Sequence, residues 1–326
     1  MRYVKLLALA LCLALLTGCA GTESPLRATA TLAPGTSPRL PEAEAPADQV
    51  SQEEALLYFR FQNEPYLAAE SRVITHAPSE PYELALLTAL LSGPMPQSAE
   101  LNALFPPGTQ VLSTSRLGRT LFVTLSREIM NPYPDEAAGS QSTAEAQLRR
   151  RLCMQSLVAT VTESCDVDSV QVLVEATGDT TDSLRLQQSY FLVAGEEHLV
   201  SPMTRDESLL LTPGRAMQVI LSLWSQQDWQ RLYLYIASDP LTGQEKRSYA
   251  DFVTAMENLP RLVEAIFAGG SVSADGRWAA YTLEATILAD DHQQETRAGK
   301  TLRLLRENGL WKVTLSQLTD WLEVGQ

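Results

Sequence analysis

The chain is poor in the side chains that most often carry chemistry. Its three histidines, His76, His198 and His292, are scattered, and its four cysteines, Cys12, Cys19, Cys153 and Cys165, form no cluster. The Asp290-Asp291-His292-Gln293 stretch reads as a solvated turn, since it lacks the ligand spacing of a zinc or calcium site. No metal, cofactor or catalytic set is therefore expected. Glycines do not bracket Ser126 as they would a nucleophile elbow, and no glycine-rich phosphate loop follows any strand-like stretch. Basic residues are also scarce, 25 Lys and Arg against 39 Asp and Glu, a net charge of −14. That balance excludes non-specific binding to nucleic acid or anionic lipid. The N-terminal apolar run, Leu6 to Leu16, is eleven residues long, far short of the ~20 that span a bilayer.

That short run nevertheless has a clear use. Arg2 and Lys5 precede it and the small residues Thr17 and Gly18 follow it, the three-part pattern of a secretion signal over residues 1–18. The segment Leu16-Thr17-Gly18-Cys19 resembles the lipobox of bacterial lipoproteins. The resemblance implies cleavage before Cys19, lipidation of its thiol, and localisation as an extracytoplasmic lipoprotein on the outer face of the cytoplasmic membrane. Loss of the signal leaves 23 basic and 39 acidic residues, a net charge of −16. Residues 19–50 read as a disordered tether, because Pro25, Pro34, Pro38, Pro41 and Pro46 sit among polar residues without apolar periodicity. Its reach is about 30 Å as a coil and up to ~90 Å if polyproline-like.

Two folded regions are expected beyond the tether. Residues 51–199 alternate strand-like stretches (55–61, 67–75, 109–115, 120–126 and 169–175) with helical ones at 82–91 and 144–162. This predicts an α+β or α/β sandwich, two helices on a mixed sheet. Cys153 and Cys165 fall along or near the longer helix, roughly 15 Å apart at 1.5 Å per residue. They are expected to remain thiols, mostly buried. Residues 207–326 hold all five tryptophans, a shift that places a boundary near residue 205. Thr212-Pro213, Asp228 and Ser248 with Asp251 mark three helix starts. Strands follow at 262–268, 278–288, 301–306 and 310–315, the last two joined by an Asn308-Gly309 hairpin signal.

Several stretches of the first region are similar to elements of the GerM (sporulation and spore germination) domain, in the family's order. They are Leu57-Tyr58-Phe59, Tyr66-Leu67, Glu70-Ser71-Arg72-Val73-Ile74, Ala89 to Pro94, Phe105 to Leu112, Val123 to Ser126 and Val170 to Val174. The chain departs at Thr124, where the family often has Asp, and at Glu175-Ala176-Thr177-Gly178, where an Asp-Gly turn is usual. The resemblance implies an interaction module of lipoproteins in spore-forming Gram-positive bacteria, and not a catalyst. Residues 207–326 resemble the α+β cone of the nuclear transport factor 2-like superfamily.

These readings converge on a non-enzymatic, membrane-anchored scaffold in cell-envelope or sporulation complexes. Its partners would be the membrane, through Cys19, and other extracytoplasmic proteins, with peptidoglycan as a further partner. Two alternatives stand beside it: a binder of a small molecule or wall fragment in the cone's pocket, and a wall hydrolase. Glu284, the acidic residue on the cone's central strand, alternates with the apolar set and is expected to face outward. Arg149, Arg150 and Arg151 form the basic cluster of the folded part. They fan over about 200° of a helix and read as a solvated face, with docking of an acidic partner or wall polymer as the alternative.

Overall fold

The computed structural model describes residues 50–134, 136, 143–176, 182–192, 198–288 and 293–322. The signal, tether and Cys19, and with them Cys12 and His292, lie outside the described residues.

The first region is α+β, but its strands divide into two sheets where one mixed sheet was expected. Strands β1 (Ser51–Phe61) and β2 (Leu67–His76) form an antiparallel hairpin with Tyr58 opposite Ala69. The two-residue strand β3 (Leu101–Asn102) adds to the far end of β1. The second sheet has the order β4-β5-β6-β7, formed by Val111–Leu117, Thr120–Leu125, Ser169–Glu175 and Ser183–Arg185. Its central pair, β5 and β6, is parallel and needs a crossover, supplied by the long helix α2 (Thr143–Ser164). Helix α1 (Tyr82–Leu91) precedes β3.

The reason for the split is visible at Tyr58. Its backbone N–H donates to Thr160 Oγ1 (3.0 Å) and its carbonyl accepts from Ser156 Oγ (2.5 Å), both on α2 and both fully buried. Two helix hydroxyls thus satisfy the backbone groups to which a further strand would have paired, and an unpaired buried backbone group is costly. The sheet ends there.

The second region opens with α3 (Pro213–Gln226), capped by Thr212, and the short α4 (Trp229–Leu232), capped by Asp228. Helix α5 (Tyr249–Glu257) starts with Ser248 bonded reciprocally to Asp251. Each cap predicted from sequence is made. Strands β9 (Arg261–Val272), β10 (Trp278–Leu288), β11 (Gln294–Glu307) and β12 (Leu310–Thr314) follow in antiparallel succession. A short parallel strand, β8 (Ile236–Ala237), borders β12. On β10, Tyr281, Leu283, Ala285 and Ile287 are buried while Thr282 and Glu284 are exposed, as the alternation predicts. The short β8 was not expected, and neither was the last helix. The expected strand through Leu315 instead stops at Thr314, and helix α6 (Leu315–Leu322) begins, burying Leu318, Trp321 and Leu322. Thr314 Oγ1 accepts from Gln317 N–H and starts it.

Asp48–Gln326 form one compact unit, so the regions on either side of residue 205 pack against each other. The connecting segment pairs with the first region through Met203 against Val170 and Leu210 against Leu67. Across the seam, Glu64 accepts two bonds from Arg231 (2.8 and 2.7 Å). The 3 % exposed Lys312 contacts Glu100 (2.9 Å) and Glu307 (3.1 Å). Phe61 meets Tyr235 edge-on.

Candidate functional site

The motifs shared with the GerM domain do structural work. Arg72 pairs with Glu70 and donates to the carbonyls of Ala89 and Gly93, both at 2.9 Å. Glu70, itself buried, accepts from Met95 N–H. One ion pair therefore clamps the Ser92-Gly93-Pro94 turn onto β2. Thr109 closes its own turn by donating to Pro106 O (2.7 Å). Ser126 and Gln110 exchange bonds through Ser126 Oγ and both backbones.

A further group of polar side chains meets at the turn between β1 and β2. Gln62-Asn63-Glu64-Pro65 breaks the strand pattern with turn-forming residues, and Gln62 adopts a left-handed conformation (φ 47°). Neighbours hold it there. Gln62 N–H donates to Glu100 O (2.8 Å), and the Asn102 carboxamide donates to Gln62 O (2.9 Å). Arg60 donates to Glu64 O (3.0 Å) and Asn63 O (2.9 Å) while also bridging to Glu145 on α2. Every guanidinium nitrogen of Arg60 thus acts on this turn or its flank.

A cavity lies on each side. One, of ≈ 380 Å³, is lined by Arg60, Asn63, Asn102, Glu145 and Arg149. The other, of ≈ 530 Å³, is lined by Glu64, Pro65, Gln230, Arg231 and Leu234. Both include Gln62 and Asn63, so the two flank one turn, a groove with α2 residues at one end and α4 residues at the other.

The structure does not bring Arg149, Arg150 and Arg151 together on one surface. Arg149 lies over the buried Tyr133 ring, 3.8 Å from its centroid, and lines the groove. Arg150 is buried and bonds both oxygens of Glu136 (2.6 and 2.9 Å), holding that carboxyl below its usual range. Arg150 is therefore not part of the solvated face expected of the cluster. Arg151 is exposed and pairs with Asp206 (2.6 Å), on the connecting segment. Sequence reading missed Arg60, Asn63, Asn102, Glu145 and the α4 residues Gln230 and Arg231. The usable signal was the polar break at 62–65 between two apolar strands.

Cys153 and Cys165 are thiols, buried and half-buried. Burial pushes each up to about 12, so both are protonated at neutral pH. His76 ends β2, with Nδ1 3.1 Å from Ala77 O and 3.3 Å from Glu80 O, and His198 is exposed. Among the described residues no three His, Cys, Asp or Glu side chains converge as a metal site. No described helix is long and apolar enough to cross a membrane.

Residues 56–177 match the Germane family, described as sporulation and spore germination. Among solved structures, the chain is similar to the tandem GerMN domains of the sporulation protein GerM from Bacillus subtilis. Identity is 19 %, over 49 % of this chain and 48 % of that one, with a TM-score of 0.33. The chain thus spans about half the length of that structure. It is also similar to the first GerMN domain of the same protein, at 18 % identity over 47 % of this chain and 98 % of that one, TM-score 0.31. A third likeness is to a lipoprotein described as putative from Clostridium perfringens, at 20 % identity over 41 % and 88 % of the two chains, TM-score 0.24. No curated protein matches the chain.

Proposed function

We propose that this protein is a non-catalytic interaction module of cell-envelope or sporulation assemblies, held at the outer face of the cytoplasmic membrane by a lipid on Cys19. The match of residues 56–177 to a sporulation and germination family carries the reading. The chemistry of that region supports it. Its motif pair Glu70–Arg72 is spent on clamping a turn, Glu136–Arg150 ties α2 to the segment before it, and its thiols are kept protonated. Residues 207–326 act, in this reading, as a cone of the nuclear transport factor 2-like type. Three helices followed by a sheet with two irregular registers in the β9–β10 pairing support that assignment. The cone's inward residues Leu283, Ala285 and Ile287 are at most 1 % exposed, and Trp224 packs edge-on against Trp321. The interior is thus filled with side chains, which favours a surface role over a buried ligand.

Two experiments test the reading. The chain should partition into detergent from whole cells, and Cys19→Ala should move it to the aqueous phase; no change on substitution would refute the lipid anchor. A photo-cross-linking residue placed at Asn63 in growing or sporulating cells should trap envelope neighbours. The same residue at the exposed Glu284 of β10 serves as the comparison, and an identical pattern from both sites would refute a specific contact surface.

A further inference from the structure

We propose that the cavity at the head of the β9–β10 hairpin docks an extended peptide of a partner protein, in which an apolar side chain stands next to a carboxylate. The site rests on the reading of the chain as an interaction module and adds to it a second contact surface, apart from the turn at 62–65.

Local bonds fix the walls of the cavity. In the turn after β9, Gly276 N–H donates to Ser273 O and Ser273 N–H to Trp278 O, both at 2.8 Å. Ser273 Oγ accepts from Trp278 N–H (2.9 Å) while donating to Asp275, so Trp278 starts β10 in a fixed place. Ala280 then stands opposite Ser271 on β9 and Arg303 on β11. Paired residues share a face of the sheet, as do residues two apart on one strand, so Trp278 lies on that face too. The short side chain of Ala280 leaves a hollow among these larger ones. Leu241 and Val272 complete the cavity, which measures ≈ 350 Å³. Both are large apolar side chains open to water, 72 % and 52 % exposed. Leu241 is kept there by Asp239, which accepts from its N–H (2.9 Å) and from Ser316 Oγ (2.7 Å). Single exposed apolar side chains are ordinary, but two that line one cavity with a tryptophan mark a contact site.

The charge of the cavity is equally specific. Arg303 alone among the lining residues is charged. It is exposed and makes no hydrogen bond or ion pair with another described residue. The turn at 62–65 differs, since there Arg60 is paired with Glu145 and Arg231 with Glu64. The neighbouring Asp275 is already occupied by Ser273 and the Arg277 N–H. A carboxylate is therefore attracted to Arg303 and repelled elsewhere by a chain of net charge −14. The planar guanidinium can bond both of its oxygens. An apolar group beside that carboxylate covers Trp278, Leu241 and Val272.

A peptide fits this cavity better than a small acid or a lipid surface. The lining includes the end of β9, the outer strand of its sheet. One side of such a strand has backbone N–H and C=O groups without a strand partner. An extended peptide carries groups that pair with them, and an acyl chain carries none. The acidic chain is also repelled by an anionic bilayer.

The test uses residues 19–326 with Cys19→Ala, which removes only the lipid site. The probe is a phage-displayed library of random linear peptides, selected on this chain and followed by synthesis of the enriched sequences. These should set Leu, Ile, Phe or Trp within about two positions of Asp or Glu. Arg303→Glu, at an exposed side chain, should weaken their binding by about ten-fold or more, since the lost bond is between charged groups. Selection on Arg303→Glu should return basic peptides in place of acidic ones. Leu241→Ser should weaken binding by about three- to ten-fold through the apolar area left uncovered. Urea midpoints equal to the parent's show that both variants are folded. No enrichment, enrichment without an acidic residue, or affinity unchanged by both substitutions would overturn the site. Octanoate binding as tightly as the peptides, or phosphatidylglycerol vesicles bound through Leu241, would overturn the peptide as its occupant. A null selection alongside specific neighbours trapped at Asn63 would remove this site and leave the interaction reading standing.

Discussion

At the residue scale, the polar groups of the first region divide into those that hold the fold and those that face the groove. Arg150 belongs to the first kind. Its ion pair with Glu136 joins α2 to the segment that precedes it, and the arginine holds the Glu136 carboxyl below its ordinary value. A carboxyl whose pKa is depressed on folding stabilises above its unfolded value and loses that contribution as pH falls through the folded one. Arg150→Gln is therefore expected to lower unfolding stability by about 2 kcal/mol at pH 7, the scale of a hydrogen bond to a charged group. The deficit should shrink as pH falls from the ordinary glutamate value of about 4.3 through the lower one that Arg150 imposes on Glu136. Urea titrations at pH 7 and pH 3.5 check this; an equal deficit at both would refute the pairing. Cys165 gives a second expectation. With its thiol pushed up to about 12, only about one molecule in ten thousand carries the thiolate at pH 8. Neither Cys153 nor Cys165 should react with a disulfide reagent within minutes until urea is added, and prompt native labelling would contradict their placement.

At the element scale, the most demanding piece is the hairpin between β11 and β12. Asn308 and Gly309 both have positive φ, 52° and 83°, as the Asn-Gly hairpin requires. Tertiary structure then adds a second demand, for a Cβ on Gly309 would lie 1.7 Å from the Ala69 carbonyl oxygen on β2. Gly118, at the β4–β5 turn, also has positive φ (59°) but nothing within 4 Å of that position. Gly118→Ala should therefore cost about 1 kcal/mol, the left-handed penalty alone. Gly309→Ala should cost about 3 kcal/mol, because the hairpin must also lift from β2. Thermal unfolding of the two variants reads the difference directly, and equal losses would show that the hairpin does not press on β2. The hairpin itself was legible in sequence. Its contact with Ala69 was not, since no local pattern records which distant strand a turn will meet.

At the scale of the whole molecule, the seam between the two regions is held by charges as well as by apolar packing. Lys312 is almost fully buried, and its ammonium reaches Glu100 of the first region and Glu307 of the second. Removing the lysine leaves two carboxylates without it, but these are 25 % and 27 % exposed, so the loss is expected below the 3–5 kcal/mol typical of a fully buried pair. The chain offers separate reporters for its two halves. All five tryptophans lie in the second region, and Cys153 and Cys165 lie in the first. Tryptophan fluorescence and thiol exposure should follow one coincident urea transition in the parent. In Lys312→Met the transition should fall to lower urea, with the two signals separating. Separate transitions in the parent would mean that the regions fold independently despite their shared contacts.

The amino-acid sequence by itself determined much of this protein's local order. Thr212, Asp228 and Ser248 cap helices because a side-chain oxygen next to an apolar helical stripe satisfies an otherwise unpaired N–H. The alternation on β10 settled which side of that strand is buried, since successive side chains point to opposite faces. Tertiary structure alone decided the rest. The division of the first region into two sheets depends on Ser156 and Thr160 reaching Tyr58, about a hundred positions away in sequence. Two-residue strands such as β3 and β8 carry no periodicity of their own and exist only because a neighbour pairs with them. The groove is of the same kind. Arg149 stood out in sequence as one of three adjacent arginines, but which of the three lines a cavity with Asn63, Asn102 and Arg60 was set by the rotation of α2 against β1. That rotation comes from packing, and a hydrogen-bond donor gains its partner only once the core has placed both.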